Sequence, residues 1–110
     1  MKLFLYWKDI EGKIYKLGTL IKDEKYFFIL NQEEYEKALK NGCAGIGNLA
    51  MKNQESDVLF QFFRERIPGK DSPRLNNFLE FFNMDNYDEM ELLKRSRGKV
   101  ATDRFFIEQE

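Results

Sequence analysis

With 110 residues, 43% of them hydrophobic, the chain holds material for one packed core and a single domain over residues 1–110, and its 34% of charged residues does not make it a disordered segment. A net charge of −1 gives no global field toward nucleic acid or an anionic membrane. The absence of His and the single Cys43 exclude the usual general base, a cysteine-rich zinc site and an internal disulfide.

Residues 2–30 read as β structure. Leu3, Leu5 and Trp7 alternate with Lys2, Phe4, Tyr6 and Lys8, and both sets carry apolar groups. Asp9 to Lys13 is a turn in which Gly12 supplies a positive φ. Ile14 to Lys22 is the second strand, with Tyr15, Leu17, Thr19 and Ile21 on one face and Gly18 marking a bulge or a close backbone approach. After the Asp23-Glu24 turn, Lys25 to Leu30 completes an antiparallel meander.

The period then changes. Asn31 caps a helix with Glu33 and Glu34 near its start, Tyr35, Ala38 and Leu39 at helical spacing, and Asn41-Gly42 closing it. Gly42, Gly45 and Gly47 lack the order of a nucleotide loop and the strand before it, so residues 43–48 are a packed loop. A second helix runs from Val58 toward Arg66, capped by Ser56 or Asp57, with Leu59, Phe62 and Phe63 inward and Phe60 off that face. Pro68-Gly69 ends it. Asp71 or Ser72 caps a third, with Pro73 at its first position and Leu75, Phe78, Leu79 and Phe82 along one side. A short helix from Tyr87 to Arg95 turns Met90 and Leu93 inward, and Val100 to Glu108 returns as a strand. The class is α+β: a three-stranded meander, three to four short helices and a closing strand. Eleven Phe against one Trp predict a core rich in Phe.

No apolar run approaches the about 18–20 residues of a membrane span. The N-terminal apolar stretch lacks the length and cleavage site of a signal peptide, which makes the cytoplasm the expected location. Neither a Walker-type loop nor a G-x-S-x-G elbow is present. Nineteen Asp and Glu leave carboxylate chemistry open, but their spacing singles out no pair. The chain therefore reads as non-enzymatic by itself. No catalytic residue, metal ligand or cofactor is assigned, and its expected mode of action is docking onto a partner.

Phe60-Gln61-Phe62-Phe63-Arg64-Glu65-Arg66-Ile67-Pro68-Gly69 resembles the F-x-F-F-x-x-x-L-P-(D/E) segment in the N-terminal subdomain of HipA-type toxin kinases. Met90-Glu91-Leu92-Leu93 is similar to that family's (F/E)-x-L-L segment, and the opening hairpin with Trp7 and Gly18 is similar to the family's start. Two places depart from the pattern. Glu65-Arg66-Ile67 stands where Asn-Leu-Leu is usual before the Pro, and Thr102-Asp103 replaces a Gly-Ala pair before the last strand. The resemblance implies a non-catalytic front piece without the kinase body, which in some systems is a separate small antitoxin to a shortened Ser/Thr kinase. A HipA-like kinase is thus the first expected partner. Tyr87 to Asp103 also resembles the region preceding HIRAN domains in some bacterial proteins, which makes nucleic acid the alternative partner.

Trp7, Phe60, Arg64 and Arg66 are the residues assigned to partner contact. Core packing is the favoured role of Trp7, and a central place in an interface is its alternative. Phe62 and Phe63 are read as core. For nucleic acid, Lys94, Arg95, Arg97 and Lys99 put four positive charges in six residues, with Arg104 shortly after. The competing reading is a solvated helix C-terminus whose cations oppose the dipole.

Overall fold

The computed structural model describes residues 1–109. Strands β1 (Lys2–Lys8), β2 (Ile14–Lys22) and β3 (Tyr26–Leu30) form the expected meander. Helix α1 (Gln32–Lys40), a 3-10 turn at Gly47–Leu49 and strand β4 (Asn53–Ser56) follow. Helices α2 (Gln61–Arg64), α3 (Leu75–Phe81) and α4 (Glu89–Ser96) lead to β5 (Phe105–Gln109). The five strands make one antiparallel sheet in the order β4-β3-β2-β1-β5, open at both edges.

The first turn is organised by one carboxylate. Asp9 is buried and accepts from the amides of Glu11 and Lys13 at 3.0 and 2.9 Å and from the Tyr15 hydroxyl at 3.0 Å. This is an Asx-type turn, and Gly12 takes the positive φ of 93° that it needs.

Gly18 is both a bulge and a close approach. Leu5 pairs with Gly18 but Tyr6 pairs with Lys16, so Leu17 is the extra residue of the bulge. The inward set therefore changes parity: Tyr15 and Leu17 are buried before the bulge and Leu20 after it. Thr19 and Ile21, expected on the face of Tyr15 and Leu17, point to the opposite side. A Cβ at Gly18 would stand 2.4 Å from Phe28 Cζ and 2.7 Å from the Ile29 carbonyl oxygen.

All the helices that bury side chains bury them on one face of the sheet. Leu3, Leu5, Trp7, Leu20 and Phe28 meet Tyr35 and Ala38 of α1, Phe63 of α2, and Met90, Leu92 and Leu93 of α4 there. The core is dominated by Leu. Four Phe residues, Phe28, Phe63, Phe105 and Phe106, are buried, and Phe60, Phe62 and Phe78 pack against the core, so Phe contributes strongly but second to Leu. α1 is capped as expected, the Asn31 side chain accepting from the Glu34 amide. Its C-terminal end closes at Asn41.

Three elements differ from the sequence reading. The helix expected from Val58 begins only at Gln61, because Asn53–Ser56 pairs with β3 and Leu59 enters the core from an extended segment. The third helix begins at Leu75 rather than at Pro73. Ser72 caps the turn before it, its hydroxyl accepting from the Arg74 amide. No side chain of α3 is fully buried, and Phe81 is 80% exposed. The last strand begins at Phe105, residues 98–104 forming a loop tied down from the core side.

Two outcomes follow. Gly18→Ala should lose about 1–3 kcal/mol of stability in urea unfolding, the range for overpacking. Gly69→Ala, where an added Cβ meets nothing within 4 Å, should change it by less than about 0.5 kcal/mol. The second concerns pH. Burial opposes the charge on Asp9, but the hydrogen bonds from Lys13, Tyr15 and Glu11 outweigh it and hold the carboxyl below its ordinary range. A folded-state value below the unfolded one adds stability that is complete above the unfolded Asp value of about 3.9 and lost as pH falls through the folded value. Asp9→Asn should therefore be less stable than wild type at neutral pH and lose less stability on acidification, as read from urea midpoints across that window.

Candidate functional site

Among the described residues, no helix buries side chains on the second face of the sheet. On β1 it carries Phe4 and Tyr6 between Lys2 and Lys8. Cross-strand pairing sets Thr19 and Lys16 beside them on β2, and Glu108 and Phe106 beside them on β5. Beyond β2 the same face continues through Ile21 paired with Phe27 and Thr19 paired with Ile29. These side chains lie outside the core cluster, although Phe106 is itself buried. Ile14 and Ile29 are 50% and 48% exposed, and Phe4, Tyr6, Ile21 and Phe27 are half-buried.

Toward β5 the face becomes aromatic and cationic. The Tyr6 and Phe106 rings stack at 5.2 Å, and Phe4 meets Tyr6 edge-on at 6.4 Å. The Lys16 ammonium lies 3.5 Å over the Phe4 ring, and Arg97 and Lys99 lie 5.2 and 6.0 Å from the Phe106 centroid. Arg97 also pairs with Glu108. A hollow of about 170 Å³ beside these rings is lined by Lys8, Lys99, Arg104 and Phe106. Burial, then the charge on Glu108, pushes the Tyr6 phenol up, so its hydroxyl keeps its proton.

One buried guanidinium builds this edge. Arg66 is 7% exposed. It donates to the Gly98 carbonyl, to both carboxylate oxygens of Asp103 at 3.0 and 2.7 Å, and to the Phe105 carbonyl at 3.4 Å. The rings of Phe62 and Phe105 lie 5.2 and 5.5 Å from it. Arg66 thereby fixes the loop before β5. Arg97 and Gly98 both take left-handed backbone, φ 59° and 57°, and turn the chain from α4 toward the β5 edge.

That turn divides the basic run. Lys94 and Arg95 stay on α4 with Glu91, and Arg95 also donates to the Phe82 and Asn83 carbonyls at the end of α3. Arg97, Lys99 and Arg104 go to the sheet edge, where sequence reading had no reason to place Lys8, Lys16, Tyr6 and Phe106 with them.

The residues assigned to partner contact scatter. Trp7 is in the core against Tyr15, as its favoured role had it. Arg66 is not a surface group, because its charge is spent on Asp103 and two carbonyls. Phe60 is half-buried beside a hollow of about 420 Å³ with Ile46, Gln54 and Glu65. Arg64 is exposed in a different cleft of about 590 Å³, with Lys22, Lys70, Tyr87 and Glu89. There the Tyr26 hydroxyl donates to Glu89 at 2.8 Å, and burial followed by that bond holds its proton on. Phe63 is buried and Phe62 packs against the core, as read.

Among the described residues no group of three His, Cys, Asp or Glu side chains is placed to hold a metal ion, and no helix is long and apolar enough to cross a membrane. Cys43 is buried, and burial pushes its thiol up. No family model, no curated protein and no solved structure matches the chain.

Arg66→Met should cost about 3–5 kcal/mol, since it leaves the Gly98 and Phe105 carbonyls without their donor and Asp103 with the Phe105 amide alone. Asp103→Asn, at a partly exposed partner, should cost less. A double-mutant cycle by urea unfolding should show the two changes to be strongly non-additive.

Proposed function

We propose that the chain is a non-catalytic interaction module that docks a protein partner on the uncovered face of its sheet. The observation that carries the reading is this face itself. Among the described residues, half-exposed Ile29 lies beside half-buried Phe27 and, across β2, Ile21. Phe4 and the half-exposed Ile14 extend the face toward β1, with no helix over them. A stable interface needs about 1,000 Å² or more of buried surface, and a broad sheet face suits that better than the small hollows elsewhere. The resemblance to the front subdomain of HipA-type kinases supports a kinase of that type as the partner, with the chain acting on it as an antitoxin does.

The test is co-expression with a kinase-like protein encoded beside this chain, followed by size-exclusion chromatography. A complex is expected that persists at moderate salt. Ile29→Glu should weaken it at least tenfold while leaving the melting temperature of the isolated chain nearly unchanged. A complex indifferent to Ile29→Glu but broken by Phe60→Ala or Arg64→Glu would move the contact to the α2 corner and overturn the sheet-face reading.

A second reading, binding of nucleic acid, is favoured by one observation: Arg97, Lys99 and Arg104 converge with Lys8 and Lys16 on the β1–β5 end of this face.

A further inference from the structure

We infer that the β1–β5 end of the open face is a binding site for single-stranded nucleic acid, with bases stacking on Phe4 and Tyr6 and phosphates held by the surrounding cations. The inference rests on the second reading above and specifies its ligand.

Two kinds of group occupy the same few ångströms. The rings of Phe4, Tyr6 and Phe106 lie side by side across adjacent strands. Lys16 and Lys99 sit over or beside those rings, Lys8 and Arg104 flank them, and Arg97 lies against Phe106 with its charge paired to Glu108. The carboxylates nearby are already engaged, Glu108 by Arg97 and Asp103 by Arg66. Cations alone would suit any polyanion. Rings alone would suit an apolar protein surface. Their combination fits a ligand that offers anions and flat π faces together, and a single strand does so, because its bases are not hidden in a duplex stack.

The geometry also gives the exchange that binding requires. Phe4 has its outer face covered by the Lys16 ammonium and by no protein layer. A base arriving on that ring displaces the ammonium sideways, where it meets the adjoining phosphate instead. The neutral phenol of Tyr6 adds a donor beside the same ring. With a chain of net charge −1 the attraction is local, so affinity must fall steeply with salt.

The experiment is fluorescence anisotropy of the full chain with a labelled oligothymidylate, with a mixed-sequence duplex of equal length and with poly-glutamate, over about 50–200 mM salt. Binding to the single strand should be at least tenfold tighter than to duplex or poly-glutamate, and should weaken with rising salt. Lys99→Glu with Arg104→Glu, both at exposed positions, should reduce it at least tenfold with an unchanged melting temperature. Tyr6→Leu, which keeps the face apolar, should reduce single-strand binding at least fivefold. Lys70→Glu, in the separate cleft beside Tyr87, should leave it unchanged. Equal binding of duplex and single strand, with Tyr6→Leu indifferent, overturns the stacking inference but leaves the nucleic-acid reading standing. Absence of binding to either nucleic acid at the lowest salt overturns both. Poly-glutamate binding as tightly as the strand overturns both in favour of an acidic protein partner.

Discussion

The Arg66 guanidinium ties the end of α2 to the approach of β5, where the Phe62 and Phe105 rings also meet. It sits just beyond α2; of its partners, Gly98 and Asp103 lie on the loop that precedes β5 and Phe105 opens that strand. Removing a charge of this kind from water is costly, and it is tolerated only where hydrogen bonds replace the hydration shell. Here they do, and every buried side-chain nitrogen and oxygen among the described residues has a partner. The fixed loop delivers Phe105 and Ile107 to the core and Phe106 to the opposite face. Both the closing strand and the cationic edge therefore depend on one side chain.

The two ends of that ion pair lie far apart in the chain, Arg66 just before Ile67-Pro68 and Asp103 just before the last strand. A guanidinium buried at the first position requires an acceptor, and the second supplies it. Their separation of 37 residues carries no periodic signal, so nothing in the sequence pattern linked them.

Local chemistry was legible where it was self-contained. Asp9 with Gly12, Asn31 with the acidic first turn of α1, and the alternation in β1 each state their structure within a few residues. β4 was not legible, because Asn-Gln-Glu-Ser has no apolar side and becomes a strand only by completing the edge of β3. The face of Ile21 was misread because a bulge reverses parity without altering composition. The candidate site was half visible: Arg97, Lys99 and Arg104 stood close in sequence, but Lys8, Lys16 and the rings of Phe4, Tyr6 and Phe106 come from three strands that only the sheet brings together. The Phe excess is divided: Phe28, Phe63, Phe105 and Phe106 are buried and Phe60, Phe62 and Phe78 pack against the core, while Phe4 and Phe27 lie on the open face and Phe81 is exposed on α3.

The Arg97 carbonyl has a part beyond turning the chain. It accepts the Ile107 amide at 2.8 Å, taking a backbone donor on the outer side of β5 that an incoming strand would otherwise find free. The opposite edge, β4, is four residues long, polar and guarded by the Lys25–Glu55 pair. Both borders of the sheet thus discourage recruitment of further strands, which is how β proteins avoid edge-to-edge aggregation. A chain with so much aromatic surface can leave one face bare because its edges do not offer a template for stacking copies into fibres.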